Sequence, residues 1–153
     1  NKIPNVVLRT SLIVGFPGET DDDFRELEEF VEKTKFDKLG TFMYSKEEGT
    51  PAAIMSGQVA EEIKEERKNK IMQLQQEISL RKNQALIGKD FEVIIEKEIE
   101  PNLYEARSYR DVPEIDGIIY VKALSSHNEG EFTKVTIKDA MEYDLLGDEI
   151  IWI

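Results

Sequence analysis

The sequence predicts an α/β segment followed by an all-β module, joined by one long helix. Three observations carry this. Leu12, Ile13 and Val14 are three apolar residues in a row, directly before a Gly15-Phe16-Pro17-Gly18 turn. Two of them are β-branched, the pattern of a strand buried on both faces of a parallel sheet. Residues 59–87 hold no proline or glycine and are rich in Glu, Lys, Gln and Arg, a helix-forming composition. From Gly88 onward, short apolar runs alternate with turn residues about every ten positions, which indicates five strands in a small antiparallel barrel.

Composition bounds the partners. The 153 residues are 40% hydrophobic and 34% charged, with no apolar run long enough to span a bilayer. Zero cysteines exclude disulfides and thiolate metal sites within these residues. The net charge of −12 argues against a dominant phosphate-binding surface and favours a basic protein partner. That charge is uneven. Residues 1–87 carry 13 basic against 16 acidic side chains, and residues 88–153 carry 7 against 16, so a domain boundary is expected near Gly88. No secretory signal opens the chain and position 1 is not Met, so a cytoplasmic piece of a longer protein is expected.

Taken in order, Val6–Val14 reads as the first strand. Arg9 inside it is hard to bury alone; it either pairs with a carboxylate at a rim or faces a ligand carboxylate. Thr20 and Asp23 form an acidic capping box for a helix over Asp21–Thr34. Phe24, Leu27 and Val31 make the apolar face of that helix. Lys38–Ser45 is an aromatic-rich second strand in which alternation makes one of Met43 and Tyr44 core. The turn between strand and first helix is neither a Walker loop nor a dinucleotide fingerprint, because no Lys follows Gly18 and the glycine spacing is wrong. The long helix, Val59–Ile87, is expected to pack through Val59, Ile63, Ile71, Leu74, Ile78 and Ala85, a stripe interrupted by Arg67. The barrel strands are expected around Phe91–Ile95, Leu103–Tyr109, Ile118–Ala123, Thr133–Ile137 and Glu149–Ile153, the last preceded by a Gly147-Asp148 turn. Tyr104, Tyr109, Tyr120, Phe132 and Trp152 are either core or exposed stacking platforms, with core the preferred reading for each, and His127 is read as exposed and structural. A two-strand remnant of a parallel sheet exposes an edge, so this part should lean on the long helix or pair with another copy.

The letters themselves carry more than the pattern. LRTSLIVGFPGETDDDF and FDKLGTFMYSKEEGTPAA closely resemble the last barrel strands of the radical S-adenosylmethionine methylthiotransferases, and ERKNKIMQLQQEISL resembles their connecting helix. The remainder is similar to the TRAM domain, a barrel appended to several RNA-modifying enzymes. The resemblance implies that residues 1–57 end a (β/α) radical barrel, 58–87 connect, and 88–153 form the TRAM barrel. It implies S-adenosylmethionine and two four-iron four-sulfur clusters as cofactors, with Arg9, Ile13, Gly15, Phe16, Met43 and Tyr44 toward the adenosylmethionine pocket. The family's cluster-binding cysteines are not in this sequence. It therefore implies no catalytic or metal-binding residue here, and a fragment inactive by itself.

A TRAM barrel this acidic departs from an RNA binder, since it should repel phosphates. Asp111-Val112-Pro113-Glu114-Ile115-Asp116-Gly117 resembles the branch of the family that methylthiolates the β-carbon of an aspartate in small-subunit ribosomal protein twelve, a basic protein. That implies substrate contacts from Arg107, Tyr109, Glu114 and Asp116; the plainer reading is a turn with Asp116-Gly117 chosen for its geometry. Two alternatives stay open: transfer RNA as substrate, through a local face of Arg107, Arg110, Lys122 and Lys134, or a non-catalytic binding module.

Overall fold

A computed structural model describes residues 3–151. They divide into two compact units, one up to Ile78 and one from Ser79 onward.

In the first unit, β1 (Arg9–Val14) and β2 (Lys38–Met43) pair in parallel, from Arg9 opposite Lys38 to Val14 opposite Met43. Helix α1 (Asp21–Thr34) makes the crossover, with the expected bounds and cap. The Asp23 amide donates to the Thr20 hydroxyl, and the Asp23 carboxylate accepts the Thr20 amide at 2.8 Å. The Thr20 hydroxyl and amide hold the Asp23 carboxyl below the usual carboxylate range. The strands are shorter than expected, beginning at Arg9 rather than Val6 and ending at Met43 rather than Ser45.

Burial on both faces of β1 was expected and does not occur. Val14 is fully buried, whereas its neighbour Ile13 is 60% exposed, as is its register partner Phe42 at 59%. Only the face carrying Leu12, Val14 and Leu39 is covered, in one core with Phe24, Val31, Ile71 and Ile78 from the helices. A two-stranded sheet has two faces and here a single helical layer, so alternation wins over the apolar run.

Helix α2 (Glu61–Gln84) corrects the expected stripe. Lys64, Arg67, Ile71, Gln75 and Ile78 are its buried positions in this unit, while Ile63 is exposed. Their spacing is helical, but three of the five are polar. Arg67 does not interrupt the buried face; it belongs to it. Gln75 stays there by donating to the Phe36 carbonyl at 3.0 Å, as a buried amide must.

The second unit is a closed barrel in the order β3-β4-β5-β7-β6, with β3 Asp90–Glu100, β4 Leu103–Ser108, β5 Ile119–Lys122, β6 Phe132–Ala140 and β7 Leu145–Glu149. Four of its pairings are antiparallel, but β5 and β7 run parallel, so the expected all-antiparallel barrel is corrected. Inward residues alternate along each strand and fill the interior with Val93, Ile95, Tyr104, Ile119, Val135 and Ile137. Irregular register between Ile95 and Lys97, between Glu98 and Glu100, and again between Ile137 and Asp139, bends the strands.

The last strand comes earlier than expected, with Gly147-Asp148 inside it rather than before it. A Cβ on Gly147 would lie 3.1 Å from the Val135 side chain, so the glycine marks close packing, not a turn. The expected strand beyond Ile151, and Trp152, lie outside the described residues. Tyr104 is core, but Tyr109 and Phe132 are exposed, against expectation. His127 is also corrected: its side chain is only 13% exposed and bridges Glu131 and Glu149.

Candidate functional site

In the first unit the candidate site is the carboxyl end of β1 and β2, the edge where α/β folds bind ligands. Gly15 takes φ +75°, which favours glycine. Its amide donates to both oxygens of Glu19, each at 3.0 Å. A Cβ there would meet the Lys64 stem at 2.3 Å. Phe16 is half-exposed and meets Tyr44 edge-on, with ring centroids 5.2 Å apart. Tyr44 is tied to β1 by its amide, which donates to the Val14 carbonyl at 2.8 Å.

The sequence-predicted residues divide by face. Arg9 and Ile13 stand on the uncovered side of β1, together with Phe42 of β2, which sequence reasoning passed over. Gly15 and Phe16 form the turn itself, and Tyr44, just past the end of β2, meets Phe16. Met43 lies opposite Val14, at the margin of the helix-covered face. The residues missed are those of α2 that hold the turn. Lys64 donates to the Tyr44 carbonyl at 3.0 Å and to Glu61 at 2.6 Å. Arg67 donates to Glu19 at 2.6 Å and to Asp21 at 2.7 Å. Burial opposes the Arg67 charge, and the Asp21 and Glu19 carboxylates more than offset it, so its pKa is raised. Reading the 64, 67, 71, 75, 78 spacing without regard to polarity would have found both.

In the second unit a cleft of about 240 Å³ is lined by Glu96, Glu105, Arg107, Glu114, Asp116 and the apolar Val112, Pro113 and Ile118, among others. Four carboxylates face one cation. Arg107 donates from Nε to Glu96 at 2.6 Å, leaving a surplus of negative charge on the wall. Three of the four predicted substrate residues, Arg107, Glu114 and Asp116, thus meet in one place. Tyr109 is 65% exposed and not among the lining residues.

The DVPEIDG segment that builds one wall is a turn fastened at both ends. The Val112 amide donates to the Asp116 carboxylate at 2.7 Å, and Glu114 takes φ +63°. Gly117 is not required by a left-handed backbone. A Cβ there would lie 1.8 Å from the Tyr143 carbonyl oxygen, so it is required by close approach.

Among the described residues no helix is long and apolar enough to cross a membrane, and no cluster of three His, Cys, Asp or Glu could hold a metal ion. The closed acidic barrel defines the class of the second unit: residues 87–150 match the TRAM domain family, and the chain carries a TRAM domain. Over nearly all its length the chain is similar to ribosomal protein uS12 methylthiotransferase RimO. It is 52% identical over 148 residues to that of Clostridioides difficile, covering 97% of this chain and 33% of the relative. The RimO of Carboxydothermus hydrogenoformans is 51% identical over 150 residues, 97% of this chain and 34% of the relative. That of Thermoanaerobacter sp. is 45% identical over 146 residues, 95% of this chain and 33% of the relative. These matches bear out the likeness to RimO, and the chain spans about one third of the length of the relatives it matches.

Proposed function

We propose that the chain is part of a radical S-adenosylmethionine methylthiotransferase acting on an aspartate of ribosomal protein uS12. Residues 1–57 end the radical barrel, 58–87 connect, and 88–153 are the docking TRAM barrel. The observation that carries this is the match to RimO over 97% of the chain. Bound adenosylmethionine would supply the radical chemistry of that family, and the iron–sulfur clusters belong to residues outside this sequence.

The first unit fits an adenosylmethionine wall. Its uncovered sheet face offers Ile13 and Phe42 as apolar surface for a nucleoside, beside Phe16. The Tyr44 hydroxyl is buried without a hydrogen-bond partner, a polar atom suited to a ligand. Arg9 stands at the far end of the same face. In the second unit the cleft walls orient a basic segment of the protein substrate. Charge surplus in a partly enclosed cleft attracts a cationic side chain and repels nucleic-acid phosphate.

The test uses the full-length enzyme with Glu114→Gln and Asp116→Asn together. Affinity for uS12 should fall about tenfold while adenosylmethionine binding is unchanged. Unaltered uS12 affinity removes the docking role.

A further inference from the structure

The buried polar face of α2 does more than pack. Arg67, 5% exposed, lies 48 residues along the chain from Glu19, yet its guanidinium reaches three acceptors of one turn. Nη1 donates to the Glu19 carboxylate at 2.6 Å and to the Glu19 carbonyl at 3.3 Å, and Nη2 donates to Asp21 at 2.7 Å. The Glu19 carboxylate in turn accepts the Gly15 amide on both oxygens. The planar fork also sits over the Phe24 ring, 5.4 Å from its centroid. A buried cation costs desolvation that an apolar side chain of the same volume avoids. Stability alone is therefore a poor reason for an arginine here, whereas geometric control of a carboxylate is a good one.

Lys64 works one turn of helix earlier. Its stem fills the space over Gly15, and its ammonium takes the Tyr44 carbonyl while lying 5.4 Å from the Tyr44 ring centroid. Tyr44 supports Phe16 edge-on. The two cations thus fix the Gly15 amide and the Phe16 ring from behind, through Glu19 and Tyr44 respectively.

We infer that Arg67, acting through Glu19, is a positioning residue that holds the Gly15–Phe16 rim in its ligand-binding shape. The inference rests on the adenosylmethionine reading of that rim. The experiment compares full-length enzyme with its Arg67→Met and Glu19→Gln variants. Glu19→Gln keeps an acceptor for the Gly15 amide but removes the charge that Arg67 holds, and it decides the matter where Arg67→Met does not fold. Three quantities are read: the Kd for adenosylmethionine, the separate KM values for adenosylmethionine and uS12, and hydrogen exchange of the peptide spanning residues 15–20. Kd and KM for adenosylmethionine should rise about tenfold, KM for uS12 should stay put, and exchange should quicken. Unchanged adenosylmethionine affinity in the folded variants overturns the inference, as does an equal rise in both KM values. If unmodified enzyme binds no adenosylmethionine, the underlying reading fails instead.

Discussion

The two units solve the same problem differently. The barrel closes on itself, so every strand has two neighbours and the apolar residues point into one sealed interior. The parallel pair in the first unit has a covered face and an uncovered one, and its uncovered face is as apolar as its covered one at Ile13 and Phe42. Its buried helix face is conversely part cationic, through Lys64 and Arg67. In the closed unit polarity therefore predicts burial at most strand positions, with Phe132 exposed and Ser108 buried as exceptions. In the open one it fails more widely, and Phe16, Lys64 and Arg67 at the candidate ligand rim are among the residues that break it. Departures from locally consistent patterning concentrate where a chain binds something.

This contrast can be broken most severely at Gly117. Gly117→Ala puts a methyl group 1.8 Å from the Tyr143 carbonyl oxygen, in the connection between β6 and β7, and should cost about 3 kcal/mol or more. Chemical denaturation followed by tryptophan-independent circular dichroism of the barrel's β signal measures it. A loss below about 1 kcal/mol would show that the closure is looser than the contact implies.

A smaller effect is expected in acid. Burial pushes the Glu149 carboxyl up, but hydrogen bonds from Thr133, the Leu124 amide and His127 outweigh it, so the pKa is lowered. A carboxyl lowered in the folded state contributes stability above its unfolded pKa and loses it as pH falls through the folded value. The barrel should thus weaken below the usual carboxylate range, and Glu149→Gln should flatten that acid limb. An identical slope in the variant would remove Glu149 from the account. The smallest effect belongs to Ile13→Thr on the uncovered face, within about 0.5 kcal/mol of the parent although an apolar strand residue is lost.

Much of this architecture was legible in the residues. The Thr20–Asp23 box placed α1 at Asp21–Thr34, because capping is a contact between neighbours in the chain. The short apolar runs Phe91–Ile95 and Leu103–Tyr109 located two barrel strands, the second ending at Ser108 in the structure, since each carries its own inward face. The parallel β5–β7 pairing was not legible, because strand direction follows from which distant segment closes the sheet. Gly147 was misread as a turn for the same reason: its neighbour Val135 is 12 residues away in sequence. His127 looked exposed because Glu149 and Tyr104, which cover it, come from other strands.

The sequence by itself determined the kinds of element, their order, the acidic character of the barrel and the likeness to RimO, all properties of local composition and of letters in a row. Only the tertiary structure decided which faces are covered, that Arg67 is an inside residue, and that Glu96, Glu105, Glu114 and Asp116 share one cleft. Burial and charge pairing depend on what another stretch of chain brings within a few ångströms, and no local pattern encodes that.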